Sequence, residues 1–385
     1  MKQTTLLSVT FLLYVGFNIT LVSPTDLSGH LQPLGSHTTP SLVDEREDVP
    51  NPVEFFNKYV KHGRPVLFKG AAKSFPSFKT WQGDSHLREK YGEWFIEVEE
   101  GKKENRSWGT EQMTFAEFLD RYKTEDIYLV QDILPTTHMA DEVFLPKCLL
   151  CGGYTDLLKT AVLWFSSGGT KSVLHIDEFE NINCLYDGSK ELVLIDKALY
   201  DLVPYSEKTN HSPIDVERVD MQKYPSLSKI PWHRASMEPG DCLYIPYMWY
   251  HQVNSSPTRN LAINIWWVNK PKLLHRSQCQ NVSRLPEYEK LSKHKFLSES
   301  EMLRHFILGL LHEDNSTAQK KSFIGALEDY AELTNDVAVL SKLFDEMDAD
   351  KSGILAVNEV NSYPSEKISA LLFPSDEIKG SKDEL

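Results

Sequence analysis

Leu174-His175-Ile176-Asp177 and, further along, Pro239-Gly240-Asp241-Cys242-Leu243-Tyr244-Ile245-Pro246, which runs on through Tyr247-Met248-Trp249-Tyr250-His251, decide how this chain reads. Alternation along a strand puts His175 and Asp177 on one face. An imidazole and a carboxylate can then point at one cation, and a third donor has to come from elsewhere. The second stretch reads as a turn into a buried strand, with His251 just beyond it. Two histidines and one carboxylate form the facial set that holds Fe(II) and leaves coordination positions open. Singly, each residue reads as a polar group satisfied by a backbone carbonyl in a core. Together, the two segments argue against that reading. Around them, from about 160 to 268, short strands alternate with turn residues in the pattern of a β-sandwich or barrel.

Further residues fall into a recognisable order. They are Asn181 after His175 and Asp177, then Gly188-Ser189-Lys190, then Trp249-Tyr250-His251, and finally Asn264-Ile265-Trp266-Trp267. In this order the segment resembles the JmjC family of iron- and 2-oxoglutarate-dependent oxygenases. It is most similar to the hydroxylase branch that includes the asparaginyl hydroxylase acting on hypoxia-inducible factor. The resemblance extends upstream through Arg64-Pro65-Val66 and Ile127-Tyr128-Leu129, covering roughly 50–270. It implies a double-stranded β-helix, a jelly roll of cupin type. It also implies decarboxylation of 2-oxoglutarate to succinate, coupled to oxidation of a substrate C–H bond. His175, Asp177 and His251 would hold the iron, with no protein acid or base required for the oxidation. Lys190 matches the family's cation for the distal carboxylate of 2-oxoglutarate. Tyr128 and Ser172 match its hydroxyl donors, Ser172 replacing a threonine, and Asn181 and Asn264 match polar residues of the same pocket. Trp266 and Trp267 are read as packing residues.

Before this segment, apolar residues at helical spacing over 52–62 and at 77–91 and 113–123 predict helices, and 64–68 and 127–131 predict strands. After Pro286 helices are expected at 298–312, 322–333 and 336–347. Then Asp348-Ala349-Asp350-Lys351-Ser352-Gly353-Ile354 to Glu359 has the spacing of a 12-residue EF-hand loop. Asp348, Asp350 and Ser352 would offer side-chain oxygens to Ca(II), Ile354 its carbonyl and Glu359 a bidentate carboxylate. The incoming helix repeats Val337, Leu340, Leu343, Phe344 and Met347 on one face. No partner loop shows in the sequence.

The two ends speak for location. Lys2 and the apolar run Leu6 to Phe17 read as a secretory signal peptide, too short for a membrane anchor. Lys382-Asp383-Glu384-Leu385 reads as the address that retrieves proteins to the endoplasmic reticulum, which makes the KDEL receptor an expected partner. No membrane span is expected once the signal is removed. Sequons stand at Asn105, Asn281 and Asn315, with poorer ones, followed by Pro, at Asn210 and Asn254. The net charge of −14 repels phosphate backbones and argues against nucleic-acid binding. Of five cysteines, Cys148 and Cys151 form a CxxC that reads as a disulfide source, local or to Cys279, rather than a redox motif, while Cys184 and Cys242 read as core thiols.

The expected fold is therefore mainly β with helices: a double-stranded β-helix (jelly roll, cupin/JmjC) preceded by an α/β N-terminal part and followed by a helical, EF-hand-bearing C-terminal region. The expected organisation is signal peptide 1–23, flexible leader 24–48, oxygenase domain 49–270, helical extension 271–335, EF-hand region 336–371 and retention signal 382–385. The expected function is lumenal Fe(II)/2-oxoglutarate-dependent hydroxylation of a side chain on a lumenal or secretory protein. The competing readings are a non-catalytic lumenal cupin-fold binding protein with a calcium-responsive tail, and an oxygenase of small molecules or lipids. By analogy with the asparaginyl hydroxylase, the helices after 271 would serve a homodimer.

Overall fold

The computed structural model describes residues 27–101, 109–206, 211–269, 279–313, 317–328 and 336–373. The expected signal peptide, the sequons at Asn105, Asn210 and Asn315, and the KDEL address lie outside these residues.

Among the described residues, fourteen strands precede residue 270. They are β1 (Ser41–Leu42), β2 (Asp44–Arg46), β3 (Val66–Phe68), β4 (Phe95–Glu100), β5 (Thr110–Thr114), β6 (Ile127–Asp132), β7 (Phe144–Pro146), β8 (Leu158–Ser166), β9 (Glu180–Asp187), β10 (Lys190–Ile195), β11 (His233–Met237), β12 (Cys242–Ile245), β13 (Tyr250–Ser255) and β14 (Asn260–Trp267). One sheet has nine strands in the order β2-β3-β12-β9-β14-β8-β6-β4-β5, and the other has four, β1-β11-β10-β13. Leu185, Leu192, Leu194, Met237, Leu243, Ile245 and Ala262 pack between them as the barrel's interior. The opposite face of the large sheet carries Ile182, Tyr244, Ile263 and Trp267. It packs under α1 (Pro52–Lys58), α2 (Pro76–Thr80), α3 (Asp84–Tyr91) and α4 (Phe115–Arg121). Helix starts follow local chemistry. Asn51 accepts from the Val53 and Glu54 N–H groups ahead of α1, and Thr114 and Glu117 close a capping box on α4.

Three expectations change. The stretch 24–48, read as a flexible leader, is from residue 27 onward a strap on the barrel. β1 pairs in parallel with β11, and β2 pairs in parallel with β3, so the strap extends both sheets. Trp232 Nε1 donates to Thr38 O at 3.0 Å, and Leu34 is buried against Trp232 and Val219. The residues that pair, Ser41, Leu42 and Asp44 to Arg46, include no Pro, and their backbone bonds leave no pattern in the side chains. Cys184 and Cys242, read as free core thiols, are directly opposed on β9 and β12 and form a disulfide. Cys151 pairs with Cys279, and Cys148 remains a buried free thiol that burial pushes well above its ordinary value, so it is no nucleophile. Finally, 279–297 belongs with the barrel: β15 (Tyr288–Lys290) pairs with β7, and Leu291 is buried in the main core.

Helices begin at α5 (Glu299–Glu313) and continue through α6 (Lys320–Glu328), α7 (Val337–Met347), α8 (Val357–Ser362) and α9 (Ser365–Leu372). They have a core of their own built on Ile307, Leu311, Phe323, Leu340, Phe344, Leu355 and Ile368. Val337, read into the apolar stripe of α7, is instead half exposed. β16 (Thr317–Gln319) pairs with β17 (Ile354–Ala356), Ala318 opposite Leu355. The loop of α7–β17–α8 thus has a partner in α5–β16–α6. The sequence hid this partner because backbone pairing needs no acidic side chains. No described helix is long and apolar enough to cross a membrane.

A candidate metal centre inside the barrel

His175 and His251 pair across neighbouring backbones: His175 N–H donates to His251 O at 3.1 Å and His251 N–H to His175 O at 2.8 Å. Bridge partners on adjacent strands project to the same side, and the two rings lie 4.1 Å apart. Each ring is oriented the same way. His175 Nδ1 meets Val173 O at 2.9 Å, and His251 Nδ1 meets Trp249 O at 3.0 Å. With the Nδ1 proton on a carbonyl, Nε2 is left as a lone pair. Those two Nε2 atoms face one carboxylate, His175 at 4.0 Å from Asp177 Oδ1 and His251 at 3.6 Å from Oδ2. These separations are too long for hydrogen bonds. One donor atom from each residue lies within 4.8 Å of the others. Two neutral imidazoles and one carboxylate are a donor set that fits Fe(II).

Asp177 is itself held. Asn181 Nδ2 donates to Oδ2 at 3.2 Å and Trp266 Nε1 to the same oxygen at 3.1 Å. Behind Asn181 runs a directional chain of amides. Asn264 Nδ2 donates to Asn181 Oδ1 at 2.9 Å, and Asn183 Nδ2 to Asn264 Oδ1 at 2.7 Å. The chain fixes which end of each amide faces the carboxylate, a choice that side-chain shape alone leaves open. Two donors on Oδ2 leave Oδ1 for a cation. Trp266, read as packing, is therefore a partner of Asp177. Trp267 points the other way and stacks on Tyr244, 6.1 Å between ring centres. Alternation from Asn264 would have put Trp266 on the site side.

Lys190 starts β10 and, like Leu192 and Leu194, faces the barrel's interior. It is 5% exposed, and Nζ donates to Ser255 Oγ at 3.1 Å. Among the described residues no carboxylate pairs with it, and burial lowers its ammonium to about 8. A buried cation without a counter-ion is costly, which makes the position a receptor for an anion. The register places His251 opposite Leu194 on the same wall, about 13 Å along the strand from Lys190. A short dianionic chain fits between cation and donor cluster. Gly188 closes the turn ahead of Lys190: its φ is +79°, and a Cβ there would lie 2.4 Å from Asn260 Nδ2.

The remaining sequence candidates divide. Tyr128 lies on the barrel-side face of β6, its ring 5.8 Å from Trp164. Ser172 gives its proton to Val173 O at 3.0 Å and accepts from Val253 N–H at 2.9 Å, so its hydroxyl is committed to the backbone. Ser255 stands beside Lys190 in its place. Ser255 is not among the sequence candidates, although His251, Val253 and Ser255 share one face of β13 by simple alternation.

Asp348, Asp350 and Glu359 form a second cluster with donor atoms within 4.8 Å. Its loop is closed by its own groups. Gly353 N–H donates to Asp348 Oδ2 at 2.8 Å, with φ +76° at Gly353, and Ser352 Oγ donates to Ile354 O at 3.0 Å. Glu359 accepts from the N–H groups of Ala349 and Ala356, both at 2.9 Å.

Comparison with known proteins agrees with the fold. Residues 52–273 match the family described as Cupin-like domain. Over 229 residues the chain is 31% identical to the lysine-specific demethylase JMJ30 of Arabidopsis thaliana, covering 56% of this chain and 52% of that protein. Over 252 residues it is 26% identical to the Jumonji C domain-containing protein 5 of Drosophila melanogaster, covering 62% of each. A shorter match, 30% over 112 residues, is to the human tRNA wybutosine-synthesizing protein 5, covering 29% of this chain and 35% of that one. The chain spans about half to three fifths of the length of the first two relatives. With more than half of its residues matched, the chain belongs to the cupin-like domain family, and Jumonji C proteins are among its relatives.

Proposed function

We propose that this protein is a dioxygenase of the endoplasmic reticulum lumen that hydroxylates a side chain of a lumenal or secretory protein. The observation that carries the reading is the buried Lys190, with which no carboxylate pairs among the described residues, on the barrel wall that also carries His251 of the donor set. Bound Fe(II) and 2-oxoglutarate would supply the chemistry, decarboxylating the 2-oxo acid to succinate while dioxygen is reduced and one oxygen atom enters a C–H bond. The chain's own part is placement. Lys190 and Ser255 hold the far carboxylate. The two histidines present Nε2, and Asn181 with Trp266 sets the rotation of Asp177. The apolar interior excludes water.

The location is supported by disulfides that use four of the five cysteines, a pattern of oxidising compartments. It is supported further by the signal-like and KDEL segments. The net charge of −14 favours a protein substrate over a polyanion. Asn281, exposed before the turn Val282–Arg284, is the described sequon that a glycan would use. We assign Ca(II) to the loop Asp348–Glu359, where it would tie α7 to α8.

The test is succinate release by pure protein with Fe(II) and 2-oxoglutarate, comparing wild type with Asp177→Ala. Lumenal proteins captured on the inactive variant are then examined for a gain of one oxygen. Turnover that persists in Asp177→Ala overturns the metal assignment. Binding of 2-oxoglutarate with no turnover on any captured protein favours the binding-protein reading.

A further inference from the structure

We infer that Glu180 is a positioning residue that fixes the turn carrying His251, and so the third donor of the metal centre. This rests on reading His175, Asp177 and His251 as that centre. Glu180 opens β9 on the face turned away from the barrel interior, 1% exposed, beneath the layer that holds Phe55 and Trp267. Its Oε2 accepts from Tyr244 OH at 2.6 Å and from Tyr247 N–H at 3.0 Å. Tyr247 belongs to the turn between β12 and β13. The next residue, Met248, is left-handed at φ +64°, and its N–H donates to Asp177 O at 2.9 Å. Trp249 N–H then donates to Pro246 O at 3.1 Å, and Trp249 O receives His251 Nδ1.

The contacts are continuous. One short segment, Asp177 to Glu180, grips the turn twice, through a backbone carbonyl and through a buried carboxyl. The far end of that turn orients the His251 ring. A left-handed Met is an unfavourable conformation, so such a turn persists only where neighbours hold it. A carboxyl buried in an aromatic layer is a costly way to fill space, and burial pushes this one up to about 7. A hydrocarbon side chain would fill the layer but could not accept from Tyr247. Glu180 thus locks the metal's carboxylate-bearing segment to its histidine-bearing turn without touching the metal.

The experiment uses the full chain and Co(II) alone as the probe, read by its visible d–d absorption and by titration. Wild type, Glu180→Gln, Glu180→Asp, Glu180→Ala and Asp177→Ala are compared, with far-ultraviolet circular dichroism on the same samples. Glu180→Gln keeps an acceptor of the same length and is expected to bind within about threefold of wild type. Glu180→Ala should bind roughly tenfold or more weakly with an altered spectrum, as loss of an orienting partner does. Glu180→Asp draws the carboxyl back from Tyr247 by one methylene and should show the same loss in a folded protein, even where the alanine variant is unstable. Wild-type affinity and spectrum in both Glu180→Asp and Glu180→Ala overturn the inference, provided that Asp177→Ala abolishes binding. If wild type shows no Co(II) site that Asp177→Ala removes, the reading of the centre itself is overturned, and this inference with it.

Discussion

Lys190 and Glu180 are both buried and both displaced from their ordinary ionisation, and the two have opposite consequences. For Lys190, burial lowers the ammonium to about 8. An incoming carboxylate favours the charged form. Binding of 2-oxoglutarate should therefore take up a proton above pH 8, with affinity falling about tenfold per pH unit there. Calorimetry in buffers of different ionisation enthalpy measures that uptake. Lys190→Met should weaken 2-oxoglutarate binding by about 100-fold, since a charge-assisted bond is lost, while Co(II) binding stays unchanged. For Glu180, the folded-state value of about 7 lies above the ordinary 4.5. The stability gained from protonation is complete below about pH 4.5 and disappears as pH rises through about 7. Wild type should lose on the order of 3 kcal/mol over that window, and Glu180→Gln should remove the slope. Urea unfolding at pH 5, 6, 7 and 8 checks the sign.

At the scale of elements, strands carry the site and staples carry the strands. Cys184–Cys242 joins β9 to β12, the strand that leads into the turn of His251. Cys151–Cys279 closes a loop with a sequence separation of 128. Replacing Cys151 and Cys279 together by Ala should cost about 5 kcal/mol in the chain-entropy account. Urea midpoints with and without reductant test this, and Cys148→Ala should leave the redox dependence unaltered. In the helical region, Leu355 is fully buried at the centre of the β16–β17 pair. Leu355→Ala should destabilise that region by about 2–5 kcal/mol and leave 2-oxoglutarate binding alone. Equal loss at both sites would show that the two regions unfold as one.

At the scale of the whole molecule, the described residues form a barrel with its helical layer and, by a separate core, a five-helix region. Metal and calcium should accordingly act on different parts. Ca(II) at 100 times its Kd should add about 2.7 kcal/mol to the helical region. Heating scans with Ca(II) or with a calcium-selective chelator would show this as a shift in one transition. An iron chelator should leave that transition where it is. The strap of residues 27–46 ties both sheets at one edge, so its removal should lower the barrel's melting temperature by several degrees.

The sequence by itself determined the barrel and the donor set. Side-chain period, turn residues and donor chemistry are local properties, and His175, Asp177 and His251 show by type and by their place in strand-rich sequence, while Lys190 stands out by its match to the family's cation. It did not determine what those residues lean on. The hold of Trp266 and the Asn183–Asn264–Asn181 chain on Asp177, the place of Ser255 beside Lys190, the Cys184–Cys242 bond and the grip of Glu180 on the turn all join residues far apart in the chain or on different strands. The strap at 27–48 and the second loop at 317–319 were missed for a related reason. Both are held by backbone hydrogen bonds to distant strands, and a backbone leaves no signature in the order of side chains. Only the folded register decides which carbonyl meets which N–H, and so which polar groups meet inside the barrel.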